Sequence, residues 1–499
     1  MYTKTINPKK PFPRLILSTN TTGKYLPFSL ISSLFLMNSF SLQATDNEAE
    51  AGRSTNETGR PNIIFIMADD LGYGDLGCYG QEKINTPQLD EMAEEGMRFT
   101  SFYSGSTVSA PSRCALMTGK HTGHAIVRGN AKYERIYEET TVANILQEAG
   151  YTTGMFGKWG FGQEAASVGF DEFYGYDTHR AAHYYYPEVL WHNGEKVDIP
   201  GNQNGKKQVY SHDLFTDKAL NFIKKEHKEE KPFFLYLPYT IPHAEILVPE
   251  ESKDDYLGKF PEEAYKPNAD HQYGHGYAPQ PEPNATRAGM ISRMDRDIGR
   301  IIDLLSRLDI EGNTIVFFTS DNGPCYAGGQ NPRFFNANGP LRGLKFELFE
   351  GGIRVPLIVK WPGKIPANTV QREPFAFWDF LPTATELAGI DPPANTDGIS
   401  FLPLLINEEQ ELHDYLYWEF SGMQAIRFGG NSRVPLKWKA MRLNLENNPD
   451  APVMLFNLRN DISERLDVSG QYPKLAEKAR KLMEQARTES EIYPLMGKQ

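Results

Sequence analysis

One short segment combines a hydroxyl, a proline and an arginine at the start of a predicted helix. It begins at Ser109, carries Pro111 and Arg113, and ends at Gly119. Proline is favoured in the first helical turn and glycine just after the last residue. The segment therefore predicts a short helix with Ser109 at its N-terminal end, where the helix dipole stabilises an anion. In a simpler interpretation, the Ser109 side chain only caps the helix.

Two acidic pairs follow apolar runs of strand length. Asp69-Asp70 comes after residues 62–67, and Asp321-Asn322 comes after residues 314–318. Aspartate and asparagine often cap the turn that follows a strand, so either pair alone carries little weight. Two such pairs, each at the end of a continuous apolar strand, favour a shared site.

The surrounding elements predict how these residues meet. Strand-like runs and helical patterns alternate along the chain, at residues 62–67, 86–96, 141–149, 152–156, 212–225, 233–237, 290–308 and 314–318. This alternation predicts an α/β sandwich with a large, mostly parallel sheet flanked by helices. Ligands of such sheets lie outside the carboxyl ends of the strands, which is where both acidic pairs are expected.

The alternation weakens after about residue 389. Short strand patterns near residues 416–420, 424–428, 438–443 and 453–457 precede a charged helical pattern at 474–488. We predict a catalytic domain at residues 61–406 and a small C-terminal α+β subdomain at 407–499, an antiparallel sheet with one helix.

Composition excludes some classes of protein. The chain has 499 residues and a formal net charge of -12, which argues against nucleic-acid binding because phosphate backbones are held by clustered lysine and arginine. Three cysteines, with no CxxC spacing, indicate neither a disulfide framework nor a zinc site. An anionic substrate would need a local basic pocket.

The N-terminal residues are typical of a secretory signal. Basic residues precede an apolar run that proline, serines and asparagine interrupt, which favours a signal peptide at 1–44 over a membrane anchor. Residues 45–60 have the composition of a linker. We expect a secreted, periplasmic protein with no integral membrane segment after cleavage.

Several motifs together resemble the sulfatases of the alkaline-phosphatase-like superfamily. The Ser109-x-Pro111-x-Arg113 pattern with its downstream Thr-Gly is similar to the sulfatase signature. The other matching segments are Asp69-Asp70, Gly157-Lys158-Trp159, Pro242-His243, Asp321-Asn322, residues 342–345, residues 350–356 and residues 455–468. The resemblance covers residues 61–468.

The resemblance implies that Ser109 is oxidised to formylglycine (3-oxoalanine), which hydrates and attacks the sulfur of a sulfate ester. An unmodified serine lacks the second hydroxyl that releases sulfate afterwards. Because serine stands where many relatives have cysteine, the implied partner is an anaerobic radical-type sulfatase-maturating enzyme. Pro111 and Arg113 belong to the motif that this enzyme recognises.

The resemblance also implies a metal and a set of catalytic residues. Asp69, Asp70, Ser109, Asp321 and Asn322 match the ligands of one Ca²⁺, with Mg²⁺ as an alternative. Oxygen donors without histidine suit a hard cation better than zinc.

Arg113, Lys158 and Lys345 correspond to the residues that neutralise the sulfate. His243 corresponds to the proton donor of the leaving alcohol, a role that suits a group titrating near neutrality.

One position departs from the family pattern. Gly160 stands where the family has a histidine after Lys158-Trp159. His121, His124 and His183 are alternative substitutes for that histidine.

The expected substrate is a sulfated glycan. By resemblance to secreted bacterial carbohydrate sulfatases, we expect exo action on terminal sulfated galactose or N-acetylgalactosamine. Candidate sugar-binding residues are His179, Arg180, His183 and Glu419. Two alternatives stay open: a phosphomonoesterase or phosphodiesterase on the same fold, and an inactive glycan-binding relative.

Overall fold

The computed structural model describes residues 59–130, 133–161, 165–176, 178–267, 277–430 and 436–496. The predicted signal peptide lies outside this part of the chain, as does nearly all of the predicted linker. Among the helices of the described residues, none has the length and apolar character needed to cross a membrane.

A large mixed sheet forms the centre of the protein. Within the described residues its strands are β1 Asn62–Ala68, β2 Met97–Tyr103, β3 Thr152–Gly157, β4 Glu172–Gly175, β5 Val189–His192, β6 Glu195–Asp198, β7 Phe233–Pro238, β8 Thr314–Ser320, β9 Arg354–Lys360, β10 Thr369–Gln371 and β11 Phe375–Ala376. Their order is β10-β2-β9-β8-β1-β7-β3-β4-β5-β6, and β11 also pairs with β2. The central strands β8, β1, β7, β3 and β4 run parallel, so their carboxyl ends share one edge.

Helices and helical turns connect the strands. They are α1 Pro87–Glu94, α2 Ser109–Thr118, α3 Val142–Glu148, α4 Ser211–Glu229, α5 Pro283–Arg307, α6 Pro332–Phe335, α7 Glu350–Ile353, α8 Phe380–Leu387, α9 Leu402–Leu405 and α10 Pro473–Gln485. Helix α3 begins as predicted, because the Thr141 side chain accepts a hydrogen bond from the Asn144 amide and the Asn144 side chain accepts one from the Thr141 amide.

Strand β1 is apolar throughout because both of its faces are covered. Ile64 and Ile66 pack into a core that includes Ile298 of α5. Ile63 and Phe65 pack on the other face, in a core that includes Phe380 of α8. Strands buried on both sides read as continuous apolar runs, which is how β1 was predicted.

A second, smaller sheet is antiparallel. Its strands are β12 Tyr415–Phe420, β13 Met423–Phe428, β14 Trp438–Arg442 and β15 Met454–Asn457, in that order. Ala479 and Met483 of α10 pack on one face of this sheet. Trp418 on the other face packs with Tyr103 and Trp378 of the main body.

The predicted fold class is confirmed: a large, mostly parallel sheet with helices, plus a small antiparallel sheet with one helix. The domain boundary near residue 407 stays a prediction.

Candidate active site

Four neighbouring parallel strands carry predicted site residues at their carboxyl ends. Asp69-Asp70 follows β1 and Asp321-Asn322 follows β8, and the last residues of these strands, Ala68 and Ser320, are paired in register. Lys158 follows β3 directly, and His243 follows β7 after a short loop. The parallel order of the sheet therefore gathers residues that are far apart in the chain.

Ser109 is the first residue of α2 and is only 2% exposed. Its Oγ donates a hydrogen bond to Asp69 Oδ1 at 3.3 Å and accepts one from Lys158 Nζ at 3.5 Å. The helix begins at Ser109 rather than at Pro111, because the Ser112 amide already donates to the Val108 carbonyl at 3.3 Å. Proline is tolerated there because a first-turn amide needs no helical partner.

Arg113 ties the acidic residues together from the next turn of α2. Its Nη2 lies 2.9 Å from Asp321 Oδ2 and 3.4 Å from Asp69 Oδ2, and its Nη1 donates to the Lys158 carbonyl at 2.9 Å. The Lys158 ammonium lies 2.5 Å from Asp69 Oδ2. All four side chains are buried.

Asp70 is the centre of a second set of contacts. Lys345 Nζ lies 2.6 Å from Asp70 Oδ1, and the Asn322 amide donates to the same oxygen at 2.7 Å. His243 Nε2 lies 3.5 Å from Asp70 Oδ2. We call Asp69, Asp70, Ser109, Arg113, Lys158, His243, Asp321, Asn322 and Lys345 the strand-end cluster.

The cluster shifts the pKa values of its members. Burial raises the pKa of Asp69, but Lys158, His243, Arg113 and Lys345 outweigh it and hold that pKa well below its usual range. Burial lowers the pKa of Lys345, but Asp70 and Asp69 outweigh it and raise that pKa. Both groups therefore stay ionised near neutrality. For His243, burial dominates and lowers the pKa to about 4.

The donors of the cluster fit a hard divalent cation. Asp70 Oδ2 and Asn322 Oδ1 are buried oxygens without a hydrogen-bond partner among the described residues. Unsatisfied buried oxygens are costly, and carboxylate and amide oxygens are the ligands that Ca²⁺ and Mg²⁺ prefer. Asp69, Asp70 and His243 also offer ligand atoms within 4.8 Å of one another.

A cavity of about 300 Å³ lies beside the cluster, lined by Asn130, His179, Arg180, His183, Tyr184, His243, Glu245, Tyr277, Cys325, Ala327, Lys345 and Phe346. His243 and Lys345 belong to both cavity and cluster. The imidazole of His183 stacks on that of His243, with ring centroids 4.4 Å apart and planes 13° apart. Three of the four predicted sugar-binding residues, His179, Arg180 and His183, line this cavity.

Glu419 is placed elsewhere. It is buried, its Oε1 accepts a hydrogen bond from Arg128 at 3.0 Å, and its Oε2 accepts one from Arg487 at 2.7 Å. Both oxygens are thus occupied by arginines, and Glu419 does not line the cavity. The small sheet approaches the cavity through Phe420 instead, whose ring centroid lies 6.5 Å from that of Phe346.

The histidines proposed as substitutes at Gly160 are also separated. His121 and His124 stack on each other beside Asp397, and neither lines the cavity. His183 does line it. Gly160 itself has a φ of 89°, and a Cβ there would meet the Arg113 side chain at 3.6 Å.

Sequence patterns missed several cavity residues, among them Glu245, Tyr277, Cys325 and Phe346. Phe346 directly follows Lys345, and Glu245 lies two residues after His243, so proximity to predicted site residues was the only available signal. Cys325 likewise lies three residues after Asn322, whereas Tyr277 lies in a loop without any local pattern.

Comparison with known proteins identifies the family. The sulfatase family model matches residues 61–390, and the C-terminal model of N-sulphoglucosamine sulphohydrolase matches residues 345–489. The chain is 31% identical to N-acetylgalactosamine-6-sulfatase of Canis lupus familiaris, over 74% of this chain and 70% of that protein. It is 30% identical to N-acetylgalactosamine-6-O-sulfatase of Bacteroides thetaiotaomicron, over 86% of this chain and 93% of that protein.

Solved structures agree with this assignment. The crystal structure of Ps i-CgsB in complex with k-i-k-neocarrahexaose superposes with a TM-score of 0.70 and 30% identity, covering 85% of this chain and 92% of that one. The matching family model spans well over half of the chain and contains every residue of the strand-end cluster. The chain therefore belongs to the sulfatase family, and it is a sulfuric ester hydrolase.

Proposed function

We propose that this sulfatase removes sulfate from glycans, acting from the chain end on terminal sulfated galactose or N-acetylgalactosamine, with a formylglycine made from Ser109. The observation that carries the proposal is the Ser109 hydroxyl, held between Asp69 and Lys158 at the start of a buried helix. Relatives named N-acetylgalactosamine-6-sulfatase and a similar protein crystallised with k-i-k-neocarrahexaose support a glycan substrate.

Charge balance supports both a cation and a sulfate in the cluster. The carboxylates of Asp69, Asp70 and Asp321 are matched by the cations of Arg113, Lys158 and Lys345. A divalent cation would make the cluster positive, which suits an anionic sulfate ester. We propose Ca²⁺, with Mg²⁺ as the alternative, held by the three aspartates, Asn322 and the modified Ser109. When bound, the cation supplies Lewis acidity at the sulfate.

Oxidation of Ser109 to the aldehyde, which hydrates, would supply a nucleophile for sulfur and a second hydroxyl for sulfate release. The side chains of the strand-end cluster orient the nucleophile, hold the sulfate and protonate the leaving alcohol. Asp69 stays ionised and accepts a hydrogen bond from the group at position 109, which orients it. Arg113, Lys158 and Lys345 hold the sulfate and neutralise its charge.

His243 is positioned to protonate the leaving alcohol. Its Nδ1 is hydrogen-bonded to the Ala244 carbonyl, and because a carbonyl only accepts, Nδ1 carries the hydrogen. Nε2, which lies 3.5 Å from Asp70 Oδ2, is left to hold and transfer the proton. An anionic sulfate nearby favours the protonated imidazole and so opposes the effect of burial on its pKa.

His183 is our choice for the histidine missing at Gly160. Its Nε2 is buried and has no hydrogen-bond partner among the described residues, and its ring stacks on His243. A neutral imidazole there can accept or donate a hydrogen bond to a group bound in the cavity. His179 and Arg180 complete the sugar-binding wall.

The remaining parts of the proposal come from the N-terminal sequence and the serine itself. A signal peptide at 1–44 supports export to the periplasm. A serine at position 109 supports maturation by an anaerobic radical-type enzyme. The division into a catalytic domain at 61–406 and a subdomain at 407–499 completes the proposed organisation.

The test is co-expression with such a maturating enzyme, followed by the mass of the peptide that contains Ser109. We expect a product two hydrogens lighter than the serine peptide, together with hydrolysis of sulfated galactose or N-acetylgalactosamine. Activity without any loss of mass would overturn the formylglycine chemistry. Glycan binding without turnover by matured protein would support the inactive relative, and two bound zinc ions would support a phosphatase.

A further inference from the structure

The mouth of the active-site cavity is aromatic and open to solvent. Tyr184 is 45% exposed and Phe346 is 40% exposed, and both line the cavity. They are therefore among the large hydrophobic side chains that folding leaves uncovered. A large exposed aromatic beside a ligand cavity marks a surface that a ligand can cover.

Phe346 has an unusual backbone conformation. Its φ is 74°, in the left-handed region that bulky residues avoid and glycine or asparagine adopts readily. Hydrogen bonds hold the backbone there: the Phe346 amide donates to the Thr107 carbonyl at 3.2 Å, and the Lys345 amide donates to the Pro324 carbonyl at 3.0 Å. Glycine would form this turn with less strain. A phenylalanine kept at this position, with its ring partly exposed, therefore favours a functional role for the ring.

The position of the ring relates it to the sulfate. Lys345 Nζ lies 6.0 Å from the Phe346 ring centroid and 2.6 Å from Asp70 Oδ1. The Phe346 ring therefore lies close enough to the sulfate-holding ammonium for a sugar that carries the sulfate to reach it. Phe420 of β12 is a neighbour of the ring, at a centroid distance of 6.5 Å.

We propose that Phe346 is a stacking platform for the sugar that carries the sulfate, and that it selects the galacto configuration. In such hexoses the axial oxygen at C4 leaves the hydrogens of C3, C4 and C5 on one face, which forms an apolar patch for an aromatic ring. In the gluco epimer the hydrogen of C4 lies on the opposite face. This inference rests on the proposed function and adds the residue that reads the sugar.

Binding by the whole chain with unmodified Ser109 tests the platform without catalysis. The first probe is the sulfated methyl galactoside that the matured wild type hydrolyses, and the second is the methyl glucoside epimer of that compound. Calorimetry in the presence of calcium measures the Kd of each. We expect F346G to raise the Kd for the galactoside about tenfold, with little change for the glucoside. Its melting temperature should stay the same or rise, because glycine relieves the positive φ.

Two further variants serve as controls. F346W keeps an aromatic surface and should bind the galactoside within about threefold of wild type. Leu466 is 60% exposed and does not line the cavity, so L466A should change neither affinity.

An unchanged galactoside Kd in F346G would overturn the platform. A fall in melting temperature with equal weakening of both sugars would also overturn it, since the ring would then only support the cavity wall. If matured wild type hydrolyses no sulfated sugar at all, the proposed function fails instead, and the platform fails with it.

Discussion

Two of the buried groups of charged side chains in the described part of this protein differ in their surroundings. In the strand-end cluster, Asp70 Oδ2 and Asn322 Oδ1 lack hydrogen-bond partners among the described residues, and the cluster borders a cavity. The other group, which we call the anchoring cluster, consists of Glu350, Lys439 and Glu464. It lies away from the cavity lining.

The anchoring cluster joins the small sheet to the main body. Lys439 of β14 lies 3.0 Å from both Glu350 Oε1 and Glu464 Oε1. Glu350 Oε2 accepts hydrogen bonds from Tyr103 at 2.6 Å and from Arg354 at 3.0 Å. Both oxygens of Glu350 are therefore satisfied within the protein.

The two clusters illustrate two roles of buried charged side chains: binding a ligand and holding parts of the fold together. A buried ion pair away from any cavity holds elements in one arrangement, and removing one partner leaves the other uncompensated in the core. A buried cluster with unsatisfied oxygens beside a cavity is complete only with a ligand. Substitutions in the strand-end cluster should therefore affect activity first, and substitutions in the anchoring cluster should affect stability first.

The largest effect is expected for Ser109→Ala. Without the group that we propose becomes the nucleophile, kcat/KM on a sulfated sugar should fall by at least roughly 1000-fold. The melting temperature should hardly change, because the Ser109 hydroxyl makes only long hydrogen bonds. Assays of kcat/KM and thermal melts of wild type and S109A, both co-expressed with the maturating enzyme, check this. Ser106, a neighbouring buried serine, provides the control, and S106A should stay active. Full activity in S109A would remove Ser109 from the mechanism.

Lys439→Met should have the largest effect on stability. It leaves Glu464 buried without its cation and leaves Glu350 with Arg354 alone, which costs about 3–5 kcal/mol of unfolding free energy. Urea unfolding measures the loss, while turnover per folded molecule should stay near wild type. K437M, at a more exposed lysine on the same segment, should cost little. A loss below about 1 kcal/mol would show that Lys439 does not anchor the sheet.

Calcium should stabilise the strand-end cluster and leave the anchoring cluster unaffected. At about 100 times its Kd, a ligand that binds only the folded state adds about 3 kcal/mol. When calcium is added back to wild type that was treated with a chelator, the melting temperature should therefore rise. N322A lacks one of the unsatisfied oxygens, so calcium should raise its melting temperature much less. In K439M the rise should be as large as in wild type. Equal gains in N322A and wild type would place the cation elsewhere.

The anchoring cluster should make stability depend on pH through Glu464. Burial and the neighbouring Glu350 raise the pKa of Glu464 to about 7, although Lys439 opposes the rise. A carboxyl with a raised folded pKa adds stability that is complete below its unfolded pKa and is lost as pH rises through the folded pKa. Between about pH 4.5 and pH 7, wild type should therefore lose roughly 1–3 kcal/mol relative to E464Q.

Unfolding in urea at pH 4.5, 6 and 8 measures this difference between wild type and E464Q. Burial alone would raise the pKa of Glu350, but Lys439, Arg354 and Arg427 lower it to about 2. Its stabilising contribution is thus present above its unfolded pKa and is lost only as pH falls towards 2. A stability gap between the two proteins that stays constant from pH 4.5 to 8 would contradict the raised pKa of Glu464.

Arg180→Gln should have the smallest effect. Arg180 is exposed on the cavity wall, so its charge is screened by solvent. We expect kcat/KM on an anionic oligosaccharide to fall up to about fivefold, with a smaller fall at high salt. R465Q, at an exposed arginine outside the cavity lining, should change nothing. A fall that is independent of salt would mean that Arg180 acts by shape rather than charge.

The sequence by itself determined several local elements and the family to which the chain belongs. Strand β1 and helix α3 were predictable because burial on both faces and helix capping leave patterns within a few residues. The family motifs named Ser109, Arg113, Lys158, His243 and Lys345 because their types and order along the chain are specific. Strands β2, β4 to β6, β10 and β11 were not predicted, and all of them except β2 have only two to four residues, too few to carry a clear pattern.

Only the tertiary structure decided which of these residues meet and what surrounds them. The parallel neighbours β8, β1, β7 and β3 bring their ends together through pairings between residues up to about 250 positions apart, which no local pattern encodes. For the same reason, Glu419 pairs with Arg128 and Arg487 instead of lining the cavity, and Phe346 stands at its mouth. Composition states which charges exist, but the packing of distant segments determines which charges are satisfied and which remain for a ligand.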